Sequence, residues 1–127
     1  MSFCTAVNCI DGRVQECVIE YLKQRFDVTY VDMITESGPN LILAEKADPG
    51  LVESIFNRLK ISIEKHASVG VAVAGHYDCA GNPGNEEEQY VHTCDAVKAV
   101  LLRHGNIPVI GLWVDEQWSV TEFVPVA

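Results

Sequence analysis

Short apolar runs alternate along this chain with segments in which apolar residues recur every three or four positions, the signature of strands exchanging with amphipathic helices. "FCTAVNC" (3 to 9) ends in polar and glycine punctuation and predicts a strand buried on both faces. Val14, Cys17, Val18, Tyr21 and Leu22 then form one helical stripe. "VTYVDMI" (28 to 34) predicts a second strand, broken by "TESGPN". The stretch from 36 to 48 is expected as a loop, with "LILAE" packing on the body. Asp48 followed by Pro49 starts a helix carrying Val52, Ile55, Phe56, Leu59 and Ile63. "VGVAVAG" (69 to 75) is the third strand. "NEEE" (85 to 88) opens a helix whose stripe is read as Tyr90, Cys94, Val97 and Leu101, ending at "RHG" (103 to 105). "IPVIGLWV" (107 to 114) is the fourth strand, and "WSVTEFV" (118 to 124) predicts an antiparallel edge strand.

This alternation predicts an α/β fold: a mostly parallel four-stranded sheet, helices on both faces, and a C-terminal edge strand, all in a single domain over 1–127. If the second and third strands flank the first, the C-terminal ends of strands one and three border a topological switch point, where such sheets bind ligands. Two polar clusters meet there, "NCIDGR" and "GHYDC".

Composition is that of a globular protein, 48% hydrophobic and 21% charged. A formal net charge of -9 repels phosphate backbones and anionic membrane surfaces, so neither nucleic acid nor membrane is an expected partner. "MSFCTAVNCIDGR" lacks the basic n-region of a signal peptide, and the expected location is cytoplasmic. Five cysteines is an odd count in a chain of this size, which argues for free thiols or metal-bound thiolates over a disulfide framework.

Cys9, His76 and Cys79 offer two soft thiolates and an imidazole, a set that favours Zn2+. Three protein ligands leave a fourth position for water or substrate, the catalytic arrangement. Two thiolates make water on the metal less acidic than three imidazoles would, so a compensating neighbour matters. Asp11 and Arg13 share the turn after Cys9 and can pair there. Held by Arg13, Asp11 orients the water; released, it can itself take the fourth position and silence the site. Each residue also has a plainer reading: Cys9 as a core residue, Asp11 as a helix cap, Asp78 and "AGNPG" as turn residues. Cys4, Cys17 and Cys94 are expected in the core, His66 and His104 at helix ends, and Trp113 and Trp118 around the last hairpin or an oligomer interface. His92 and Cys94, two apart on a helix, point in different directions and are not read as ligands.

"CIDGR" and "GHYDC" together resemble the zinc signature of the β-class carbonic anhydrases, a CxDxR turn after the first strand and an HxxC turn after a later one. The resemblance implies zinc on Cys9, His76 and Cys79, Asp11 and Arg13 as a catalytic dyad, and a lyase (carbonate dehydratase activity) hydrating carbon dioxide reversibly to bicarbonate by zinc-bound hydroxide. It further implies a homodimer or higher homo-oligomer. Gly12 replaces the family's usual serine, "ITESGPN" replaces its arginine-alanine-glycine-asparagine stretch, and the long N-terminal arm is missing, which fits a compact, divergent branch. Two other readings stand beside turnover of carbon dioxide: a non-catalytic zinc-binding regulatory or interaction domain, and a hydrolase of carbon disulfide or carbonyl sulfide. A weaker third is a redox thiol protein.

Overall fold

β1 (Phe3–Cys9) is buried along almost its whole length and sits near the middle of the sheet. In the computed structural model, which describes residues 1–123, it is followed by a 3-10 turn (Gly12–Val14), α1 (Gln15–Phe26), β2 (Tyr30–Glu36), α2 (Pro39–Glu45), α3 (Pro49–Lys65), β3 (Val71–His76), α4 (Glu86–Arg103), β4 (Val109–Val114) and β5 (Val120–Phe123). The strand order is β2-β1-β3-β4-β5, with β5 antiparallel to β4 and the other pairs parallel. The α/β sheet expected from the sequence is present, and β2 and β3 do flank β1. Residue 124, expected in the edge strand, lies outside the described residues.

Each face of the sheet has its own core. One joins Val7, Val71 and Val73 to Leu43 of α2, Ile55 and Leu59 of α3, and Val97 and Val100 of α4. The other joins Cys4, Ala6, Ala72 and Leu112 to Val18 and Leu22 of α1. Burial of these branched side chains on both faces is why the strands read as continuous apolar runs.

The stretch expected as a loop between 36 and 48 contains α2, a correction with a local cause. Gly38 adopts a left-handed φ of 65° and Pro39 occupies the first helical turn, where its missing N–H costs nothing. Glycine and proline, read as a break, launch a helix too short to show a period. α4 also differs in rotation from the expected stripe: Tyr90 and Leu101 are exposed, whereas Gln89, Thr93, Ala96 and Val100 are buried. Cys4 is buried as expected, but Cys17 and Cys94 are only partly so. His66 caps α3, bonds Asp32 Oδ2 through Nδ1 at 2.6 Å, and stacks on Phe3.

Candidate metal centre

Cys9 ends β1, His76 ends β3, and Cys79 follows in the next turn. The β1–β3 ladder runs only from Thr5 and Val71 to Val7 and Val73; beyond it the two strands part. That divergence opens the switch point and sets the three side chains around a common centre. One ligand atom from each lies within 4.8 Å of the others, and the Cys9 and Cys79 sulfurs are 3.9 Å apart. All three residues are buried, at 4%, 1% and 4% exposure for Cys9, His76 and Cys79.

The donor chemistry fits a thiophilic cation. His76 Nδ1 lies 2.7 Å from the Tyr77 carbonyl, which can only accept, so Nδ1 carries the proton and Nε2 presents its lone pair. That Nε2 is buried without a hydrogen-bond partner among the described residues, an orphan that normally costs stability. Two sulfurs bound to one tetrahedral zinc stand about 3.8 Å apart, close to the 3.9 Å between the Cys9 and Cys79 sulfurs. The thiols act as a pair sharing a proton. A hydrogen bond from Cys79 pulls the Cys9 thiol far below its ordinary range against the opposing effect of burial, with help from the backbone N–H groups of Asp11 and Gly38. Cys79 is pushed up correspondingly by Cys9 and by burial. Burial lowers the His76 pKa, but the Cys9 sulfur and the Tyr77 carbonyl outweigh it and the net shift is upward.

Asp11 and Arg13 meet as the sequence predicts. Arg13 Nε donates to Asp11 Oδ1 at 3.0 Å and Nη2 donates to Oδ2 at 2.6 Å, while the Arg13 backbone N–H also donates to Oδ1. Asp11 is therefore both cap and ion-pair partner. The Arg13 hydrogen bonds hold its carboxyl down at about 2. Arg13 is anchored further: Nη1 reaches Asp78 Oδ2 at 3.2 Å, Nη2 reaches the Asp78 carbonyl at 3.1 Å, and the guanidinium lies 4.7 Å from the centre of the Trp118 ring. Arg13 thus ties the turn carrying Cys9 to the turn carrying Cys79. Asp78 takes a left-handed φ of 58°, so its turn role and its ionic role coexist.

Behind the donors lies a buried polar group that sequence reasoning missed. Gln89 bonds the His76 backbone through both amide atoms, Asn40 Nδ2 donates to Gln89 Oε1 and to Thr93 Oγ1, and Asn82 Nδ2 donates to Asn40 Oδ1. His92 Nδ1 lies 3.1 Å from Asn82 Nδ2, so His92 supports this network and takes no part in the donor trio. No sequence signal marked it: Gln89 and Thr93 stand four apart on α4, a spacing that suits a solvated face equally well.

The sequence matches over residues 1–124 the family described as "Putative carbonic anhydrase". The chain belongs to this family. No curated protein matches it. Among solved structures, this carbonic anhydrase-family chain is similar to the β-carbonic anhydrase CafA of Aspergillus fumigatus, with a TM-score of 0.63 and 13% identity over 99% of this chain and 76% of that one. It is similar also to β-carbonic anhydrase isoform I of Trichomonas vaginalis, with a TM-score of 0.58 and 16% identity over 95% of this chain and 82% of that one. A third likeness is to tetrameric β-carbonic anhydrases of Sordaria macrospora, with a TM-score of 0.60 and 10% identity over 96% of this chain and 80% of that one. At such identities the likeness establishes the fold, and it is the β-carbonic anhydrase fold.

In this family member a cavity of about 430 Å³ adjoins the turn after His76, lined by Tyr77, Asp78, Asn85, Trp113, Asp115 and Glu116 among others. None of the three donors lines it, and its carboxylates disfavour anions. No helix among the described residues is long and apolar enough to cross a membrane.

Proposed function

We propose that this protein is a zinc-dependent lyase that hydrates carbon dioxide reversibly to bicarbonate. The observation that carries the reading is the convergence of the Cys9 and Cys79 sulfurs on a buried, partnerless His76 Nε2. These three side chains would hold the ion, and a zinc ion there would supply the Lewis acidity that lets water ionise near neutral pH. Asp11, ionised and fixed by Arg13, accepts a hydrogen bond from the attacking water and orients it. The two-toothed grip of Arg13 on Asp11, reinforced by Asp78, supports the state in which Asp11 is kept off the fourth position. The proposal includes a single domain over 1–127, a cytoplasmic setting, and assembly into a homodimer or larger homo-oligomer, as the Sordaria enzymes assemble into tetramers.

Stopped-flow carbon dioxide hydration on zinc-loaded protein tests this, with Asp11→Ala and Cys79→Ala alongside. Each variant should lose most of the activity; wild-type turnover no faster than that of the two variants rejects the hydratase reading. Carbon disulfide and carbonyl sulfide belong in the same assay as competing substrates. The near-complete burial of the donors favours one other reading, a zinc-holding regulatory or interaction domain without turnover. Under that reading elemental analysis of protein purified without added metal finds about one zinc per chain, yet no substrate is consumed.

A further inference from the structure

The ladder between β1 and β3 ends at Val7 and Val73, three residues short of His76, so no strand among the described residues satisfies the His76 backbone on that side. A side chain does so. Gln89 Oε1 accepts from the His76 N–H at 3.1 Å and Gln89 Nε2 donates to the His76 carbonyl at 2.7 Å, the two bonds that a neighbouring parallel strand supplies. The same Nε2 donates to the Asn82 carbonyl at 3.0 Å, beyond Cys79. One fully buried amide thereby grips the chain on both sides of the segment that carries His76 and Cys79. Gly75 makes this possible: a Cβ there would stand 2.8 Å from both Gln89 Oε1 and Asn40 Nδ2. The residue before His76 is bare where the amide passes.

We propose that Gln89 is a positioning residue for the candidate metal centre, replacing the missing strand and so fixing the angle at which His76 Nε2 and Cys79 Sγ face Cys9. The inference rests on the metal reading above. Buried amides can also serve stability alone, and the two roles predict different things. A stability role treats Gln89 and Thr93 alike, because both belong to one buried network. A positioning role separates them, because only Gln89 touches the His76 backbone.

Gln89→Met keeps the length of the side chain and removes its bonds, while Thr93→Val removes an acceptor of Asn40 and leaves His76 untouched. Zinc affinity is read by competition with a chromogenic chelator, at a temperature where circular dichroism shows every variant folded, and the cobalt-substituted absorption spectrum reports ligand geometry. Gln89→Met should weaken zinc roughly 10- to 100-fold, the usual range for residues supporting metal ligands, and shift the cobalt bands. Thr93→Val should leave both unchanged. Wild-type affinity in Gln89→Met, or an equal loss in Thr93→Val, overturns the inference. Should Gln89→Met not fold, Gln89→Glu, which keeps the acceptor for His76 N–H but sets a carboxylate against the His76 carbonyl, carries the same comparison. Long-range proton–nitrogen spectra of zinc-free protein give a second readout: wild type and Thr93→Val should show His76 protonated at Nδ1, and Gln89→Met a mixture of tautomers. A wild type that binds no zinc rejects the functional reading, while the tautomer comparison still decides this one.

Discussion

Gly38 shows how far single residues constrain the site. Its φ of 65° suits glycine, its N–H helps lower the pKa of the Cys9 thiol, and an added Cβ would stand 2.7 Å from the Gly81 backbone. Nothing flexible can yield there. Gly38→Ala should cost at least about 2 kcal/mol in urea unfolding, combining left-handed strain with overpacking against backbone. Gly12→Ala is the control, since a Cβ there meets nothing within 4 Å, and it should be close to neutral. At this scale the sequence displayed the donors, because cysteine, histidine and an Asp-Arg pair after strands have few other uses in combination. It hid Gln89, Asn40 and Asn82, because a polar residue on a helix or in a loop looks the same whether it faces water or another buried amide.

Among the elements, α4 carries both a legible start and an illegible face. Asn85 accepts from the Glu88 N–H while the Glu88 side chain accepts from the Asn85 N–H, a complete capping box. Asn85→Ala should destabilise by about 1 kcal/mol, measured by chemical denaturation. Its inner face went unread because polar Gln89 and Thr93 occupy it, displacing the apparent stripe toward Tyr90 and Leu101. The tie between α1 and β5 gives a pH prediction. Tyr21 donates to Glu122 Oε1 at 2.7 Å, and Arg25 Nε donates to the same oxygen at 2.7 Å. Burial, then the Glu122 carboxylate, raises the Tyr21 pKa to about 12. A raised pKa means the folded state holds the proton more tightly, so this contribution is complete below the ordinary tyrosine value of about 10 and fades as pH rises through 12. Tyrosinate absorbance should show a late-ionising group that Tyr21→Phe removes, with a loss of about 1 kcal/mol at neutral pH for the missing hydrogen bond.

At the scale of the molecule, the order β2-β1-β3-β4-β5 places the divergence of β1 and β3 beneath the donors, and both turns converge over it. A cation bound there joins two segments 67 residues apart in sequence, from Cys9 to His76, and stabilises only the folded chain. Zinc at a thousandfold excess over its dissociation constant should add about 4 kcal/mol, so Tm should rise with zinc and fall on chelation. Cys79→Ala should lose that response, and a Tm indifferent to zinc in the wild type would contradict the metal reading.

By itself the sequence determined the alternation of strands and helices, the acidic net charge and the donor atoms, because periodicity and chemical type are local properties. Only the tertiary structure decided how β1 and β3 part, which helix face turns inward, and that a glutamine amide completes the sheet at His76. Those outcomes depend on which distant backbone groups lack partners, a quantity that does not exist until the chain is packed.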